Sequence, residues 1–128
     1  AGIKEEPDYI VKTDYSRGEA RQATESLLAL KNPPTAIFAA SDSMALEALN
    51  VIREKGKSVP GDISIIGFDD NPSGLYGAVA LTTVRQPLTK MAEEGVKELH
   101  ELMGGRTELR RIKLPPELVI RDSCKQIN

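Results

Sequence analysis

Apolar positions along this chain fall into two spacings, short β-branched runs and longer stretches in which they recur every third or fourth residue. Ile63, Ile65, Ile66 and Phe68 follow the Pro60-Gly61 turn signal as a short, largely apolar run, the pattern of a strand in a parallel sheet covered on both faces. Asp69 and Asp70 end it abruptly. Ala36 to Ala40 reads as a second buried strand, and Tyr9, Ile10 and Val11 as a shorter first one. Between these two, Ala20, Ala23, Leu27 and Leu30 recur at helical spacing, with Arg21, Gln22 and Glu25 on the other side. Asn32-Pro33-Pro34 stops that helix. Ser41, Asp42 and Ser43, all able to cap a helix N-terminus, open the next one. Its apolar face is Met44, Ala45, Ala48, Leu49 and Ile52, and Gly56 sits where left-handed geometry commonly ends a helix.

The order strand, helix, strand, helix, strand is that of parallel βαβ units with right-handed crossovers. Beyond Asp70, Asn71-Pro72-Ser73-Gly74 is turn chemistry, and Leu81 to Val84 is a short strand leading to Gln86-Pro87. Pro87 is placed to open a helix in which Leu88, Ala92, Val96, Leu99 and Met103 keep the period until Gly104-Gly105. Leu114-Pro115-Pro116 is a bend and Leu118-Val119-Ile120 a last strand. Open sheets of this class bind ligands at the carboxyl ends of their strands. The edge at Asp69 and Asp70 is therefore the candidate site.

Composition narrows the function. The 128 residues carry 17 basic and 19 acidic side chains, scattered rather than blocked, for a formal charge of −2. Such a balance offers no electrostatic footprint for nucleic acid or anionic lipid. The single cysteine, Cys124, has no internal disulfide partner, and no apolar run reaches the length of a signal peptide or membrane span, so a reducing, cytoplasmic location is expected. No phosphate loop or dinucleotide fingerprint is present, and His100 and Cys124 have no partner at nucleophile or metal spacing, so no catalytic residue, metal or cofactor is expected. Asp69-x-Asn71-x-Ser73-Gly74 imitates the start of a calcium loop, but Ala80 stands at the twelfth position and Pro72 intrudes. A lone Gly67 within a strand marks close packing. Arg106, Arg110, Arg111 and Lys113 read as a solvated rim.

Four segments carry a resemblance: Pro34 to Ala45, Val59 to Asp70, Leu81 to Pro87 with Leu-Thr-Thr-Val-Arg-Gln-Pro, and Leu114 to Arg121 with Leu-Pro-Pro-Glu-Leu-Val-Ile-Arg. In this order and at these intervals they resemble the effector-binding core of the LacI/GalR family of bacterial transcription regulators. The resemblance implies a three-layer α/β fold, a mainly parallel sheet with helices on both faces, forming part of the second lobe of a periplasmic-binding-protein-like type I fold. Residues 1–85 then belong to the carboxyl-terminal effector lobe, 86–113 cross over to a helix packed on the first lobe, and 114–128 return. The helix-turn-helix, hinge helix, nearly all of the first lobe and the beginning of the second are expected to lie outside this chain, and operator DNA to be contacted only through the first of these. The implied partner is a small sugar-like or purine-like effector held between two lobes of a homodimeric repressor. Without a first lobe, the helix from Leu88 to Met103 exposes its apolar stripe, and it and an unpaired sheet edge favour dimerisation or exchange of elements. A periplasmic sugar-binding protein of a transporter shares the architecture, but the Leu81-to-Val84 and Leu114-to-Leu118 motifs favour the regulator. An enzyme of flavodoxin-like topology has no catalytic constellation in its support.

The resemblance assigns four residues to the effector. Adjacent residues of a continuing strand point to opposite sides, so only one of Asp69 and Asp70 faces the crevice. A catalytic carboxylate pair needs both. The family pattern selects Asp69 as an acceptor for sugar hydroxyls or a base; the bland alternative makes both aspartates turn residues. Ser41 stands where relatives often have asparagine, and its alternative is a helix cap. Tyr15 occupies the place of an aromatic that packs on the effector ring, or packs at the sheet edge. Gln86 lies where the chain crosses between lobes, or simply precedes a helix-opening proline. These residues suit pentoses, hexoses, nucleosides or purines alike.

Overall fold

A computed structural model describes residues 6–75 and 77–126. Helix α1 covers Arg17–Leu28, α2 Asp42–Glu54 and α3 Leu88–Met103; the strands are β1 Ala36–Phe38, β2 Ser64–Phe68, β3 Thr82–Arg85 and β4 Glu117–Val119. They form one sheet in the order β1-β2-β3-β4, with β1, β2 and β3 parallel and β4 antiparallel to β3. This is the expected α/β fold with a mainly parallel sheet.

The core lies between α2 and β2. Ala45, Ala48, Leu49 and Ile52 turn inward from α2 and meet Ile65, Ile63 and Leu81, and Ala45, Ile52, Ile65 and Leu81 have no exposed surface. Burial along β2 alternates, with Ile65 and Gly67 buried and Ser64, Ile66 and Phe68 half-buried on the other face. The absent side chain of Gly67 in β2 lets the helix approach closely: a Cβ there would stand 2.2 Å from Asp42 Oδ1 and 2.9 Å from Leu81 Cδ2. Helix α1 packs on α2, and the buried Glu47 accepts from Arg17 at 3.0 Å and Arg21 at 3.2 Å across that seam. The tail adds a wedge that residue patterning did not reveal. Ser123 is fully buried: its hydroxyl donates to Ile65 O at 2.6 Å and accepts from Thr82 N–H at 2.8 Å, while its carbonyl accepts from Ile65 N–H. It fills the gap where β2 and β3 splay before their ladder begins.

The expected strand at Tyr9, Ile10 and Val11 is not formed. Pro7–Tyr9 is instead a 3₁₀ turn, closed by Ile10 N–H to Pro7 O at 3.0 Å, and Ile10 beyond it is extended without a ladder partner among the described residues. β propensity is realised only where a neighbouring strand satisfies the backbone. Here a cavity of about 520 Å³, lined by Tyr9, Val11 and Thr13 on one wall and Ala36 and Phe38 on the other, separates the segment from the edge of β1. Helix α3 keeps its expected bounds, with Pro87 at its start and Gly104 at its end, but none of its residues is buried. Val96 is 69% exposed and Met103 79%. Its polar side is tied to the loop that follows, Arg106 Nε lying 3.1 Å from Glu101 and Arg110 Nε 3.0 Å from Glu98.

This distribution predicts sharply unequal core sensitivity. Ile65→Ala, which empties a fully enclosed site, should lower the unfolding free energy by about 2–5 kcal/mol, whereas Val96→Ala on the open face of α3 should change it by no more than about 0.5 kcal/mol. Urea denaturation of the two variants measures both.

Candidate functional site

The parallel register places the ends of β1, β2 and β3 on one edge, with Ser41, Asp69 and Gln86 following them in turn. Asp69 and Gln86 are in contact: the Gln86 side-chain amide donates to Asp69 Oδ1 at 2.7 Å. Asp69 N–H donates to Val84 O at 2.9 Å, so the ladder runs one residue past the end of β2. Beyond that the strand geometry stops. Asp69 has φ 108° and Asp70 φ 56°, and the remaining non-glycine residue of positive φ among those described is Tyr15, at 67°. Such conformations cost about 1–3 kcal/mol each and persist where surrounding contacts over-determine them. All three lie at this edge or in the loop leading to α1.

The two aspartates have different partners. The continuing strand expected to separate them is replaced by a left-handed corner. Asp70 is an ion-pair residue: its carboxylate accepts from Arg121 and, at 2.7 Å, from Arg85 Nε, and Arg85 reaches on to Glu117 at 3.1 Å. The Arg121 hydrogen bond, followed by that of Arg85, holds the Asp70 carboxyl below the usual aspartate value. The same contact raises the Arg85 guanidinium. Asp69 is in no ion pair among the described residues, and Gln86 alone of them bonds its carboxylate.

Ser41 is the N-cap of α2, its hydroxyl accepting Met44 N–H at 3.3 Å. Tyr15 follows the extended segment and is 65% exposed, beside the cavity wall that includes Ala40 and Met44. Its loop is fastened by Asp14 accepting Ser16 N–H at 2.8 Å and by Ser16 capping α1 through Glu19 N–H at 3.2 Å. No hydrogen bond joins Ser41 or Tyr15 to the Asp69–Gln86 pair among the described residues. The sequence offers Asp42 as a capping residue, but its carboxylate is buried beneath the corner; it does not single out Arg85 and Arg121, whose partner is distant in sequence. Among the described residues no group of three His, Cys, Asp or Glu side chains is placed to hold a metal, and no helix is long and apolar enough to cross a membrane.

The periplasmic binding protein-like domain profile matches residues 1–124, and the similar proteins found are LacI-type regulators. The chain belongs to the LacI branch of this family. It is 41% identical over 121 residues to a probable HTH-type transcriptional repressor, ExuR of Bacillus subtilis, covering 94% of this chain and 36% of that protein. It is 35% identical over 129 residues to the HTH-type transcriptional repressor PurR of Photobacterium profundum, covering 100% of this chain and 39% of that one. A solved complex of the transcriptional regulator CelR with cellobiose superposes with a TM-score of 0.88 at 31% identity, over 95% of this chain and 38% of that one. The chain thus spans somewhat over a third of the length of the curated relatives it matches. These relatives of the family are transcriptional regulators, not enzymes.

The ion pairs at Asp70 give a pH signature. A carboxyl whose folded value is depressed contributes stability fully above its unfolded value and loses it as pH falls through the folded one. The stability difference between the parent chain and Asp70→Asn should be constant near neutrality and shrink as pH falls below about 4. Denaturation midpoints across about pH 2–7 check this; a difference independent of pH would exclude the ionised Asp70 as its source.

Proposed function

We propose that this chain is the sensing part of a two-lobed LacI-type repressor, in which a small sugar-like or purine-like effector binds at the edge formed by Asp69, Gln86, Ser41 and Tyr15. The observation that carries the reading is the Asp69–Gln86 pair at the carboxyl end of the sheet, held in a backbone conformation that surrounding contacts must enforce. A carboxylate oriented by an amide accepts hydroxyl or ring N–H donors in charge-assisted hydrogen bonds, and an exposed tyrosine offers a face for the apolar side of a sugar or base. The cellobiose complex of a relative supports the sugar class.

In this reading residues 1–85 form part of the effector lobe, 86–113 lead through α3 onto a first lobe, and 114–128 return. The antiparallel pairing of β4 with β3 and the uncovered stripe of α3 support that division. The working protein is then a cytoplasmic homodimer whose operator contacts come from a separate DNA-binding segment. Effector binding changes operator affinity only to the extent that the two lobe arrangements bind it differently. The regulatory identity of the relatives favours this over a transporter's periplasmic sugar-binding protein.

Calorimetric titration of the full-length protein that carries this chain, against cellobiose, sucrose, ribose, adenine and guanine, tests the proposal. Saturable binding to one of them is expected, weakened about 10- to 100-fold in Asp69→Ala by loss of a hydrogen bond to a charged group of about 1.5–3 kcal/mol. Binding indifferent to Asp69, or none across the panel, would overturn the assignment of this edge.

A further inference from the structure

Asp42 begins α2 yet does not serve as its cap, because Ser41 already accepts the Met44 N–H. It is 1% exposed, and no lysine or arginine is among its hydrogen-bond partners in the described structure. A buried carboxylate without a cation is unfavourable unless hydrogen bonds satisfy it. Both of its oxygens are occupied. Oδ1 accepts from the Thr83 hydroxyl at 2.6 Å, and Oδ2 accepts from Asn71 N–H at 2.6 Å. Having donated to Asp42, the Thr83 hydroxyl accepts from Asp70 N–H at 3.3 Å.

These bonds converge on the corner that carries Asp69. Three successive backbone donors are fixed by three different acceptors: Asp69 N–H by Val84 O, Asp70 N–H by Thr83 Oγ1 and Asn71 N–H by Asp42 Oδ2. Two of the three depend on Asp42, directly or through the hydroxyl that it orients. Space for the carboxylate is reserved by Gly67, where a Cβ would stand 2.2 Å from Asp42 Oδ1. Thr83 is fully buried in β3, three residues before Gln86, so hydrogen bonds from Asp42 in α2 and Thr83 in β3 reach the corner that carries Asp69, the residue Gln86 contacts.

We infer that Asp42, acting through Thr83 and the Asn71 N–H, is a positioning residue that holds the left-handed Asp69-Asp70 corner and thereby turns the Asp69 carboxylate toward Gln86 and the cleft. As a statement about effector binding, this rests on the assignment of Asp69 to the effector. As a statement about geometry, it stands on the bonds themselves. A carboxylate anchored in the core makes the aim of Asp69 a property of the α2–sheet packing and not of the exposed loop.

The test is ¹H–¹⁵N spectroscopy of the 128-residue chain without effector. Thr83→Val keeps the side-chain shape and removes the hydroxyl; Thr83→Ser keeps the hydroxyl. In Thr83→Val the Asp70 amide should lose protection from exchange and the Gln86 side-chain amide resonances should move to the positions of a free glutamine, while Thr83→Ser should retain the parent spectrum at both. A folded Thr83→Val with unchanged Gln86 side-chain resonances would reduce the network to a purely structural role and overturn the inference. If Thr83→Val does not fold, Asp42→Asn, of nearly the same volume, is read by the same Gln86 signal with the same two outcomes. Effector titrations in which Asp69→Ala is silent would remove Asp69 from the ligand site and leave the Gln86 signature untouched, so the two failures are told apart.

Discussion

Burial of α2 against β2 is the constraint from which the rest of the molecule follows. Ala45, Ala48, Ile52 and Ile65 are enclosed almost completely, and their contact fixes both the height and the rotation of the helix over the sheet. Because α2 starts immediately after β1, this packing sets the first turn of the helix under the carboxyl end of β2. Gly67 permits the approach, and Asp42 uses it to reach the loop beyond Phe68. An apolar contact in the middle of the domain thus decides where a polar corner stands at its edge.

That corner divides two adjacent carboxylates by their surroundings. Asp70 lies between two guanidinium groups, one from β3 and one from the segment after β4, which keep it ionised and tie the three segments to one another. Asp69 meets a neutral amide, and only one of its oxygens is engaged by it among the described residues. A charge already neutralised has little left to offer a ligand, whereas one oriented by a single hydrogen bond keeps acceptor capacity. The positive φ at both positions is what turns the second residue back toward the arginines, since an unbroken strand would have put it on the far face of the sheet.

The uncovered parts of the molecule are as informative as its core. The apolar stripe of α3 has the periodicity of a core helix without core burial, and the segment after the Pro7–Tyr9 turn has the composition of a strand without a ladder partner among the described residues. Each is a local preference left unsatisfied by the surroundings it has here. The proposed two-lobed sensor gives the α3 face a role as the surface on which a first lobe rests.

Much of this architecture was legible in the sequence. The helical period of Leu88 to Met103, the cap at Ser41, and the apolar run ending at Asp69 each depend on residues close together, so propensity and spacing suffice to find them. Four motifs in order were enough to mark the family. The failure at Tyr9 to Val11 has the same root seen from the other side, because a strand exists only when something outside the segment completes its hydrogen bonds. The tertiary structure alone decided the rest: that Ser123 wedges between β2 and β3, that Arg121 closes on Asp70 across 51 residues, and that Asp42 is a buried brace rather than a cap. The sequence could name the polar residues at the edge. Which of them face one another depends on left-handed backbone and on contacts between distant segments, and only the packed sheet brings those together.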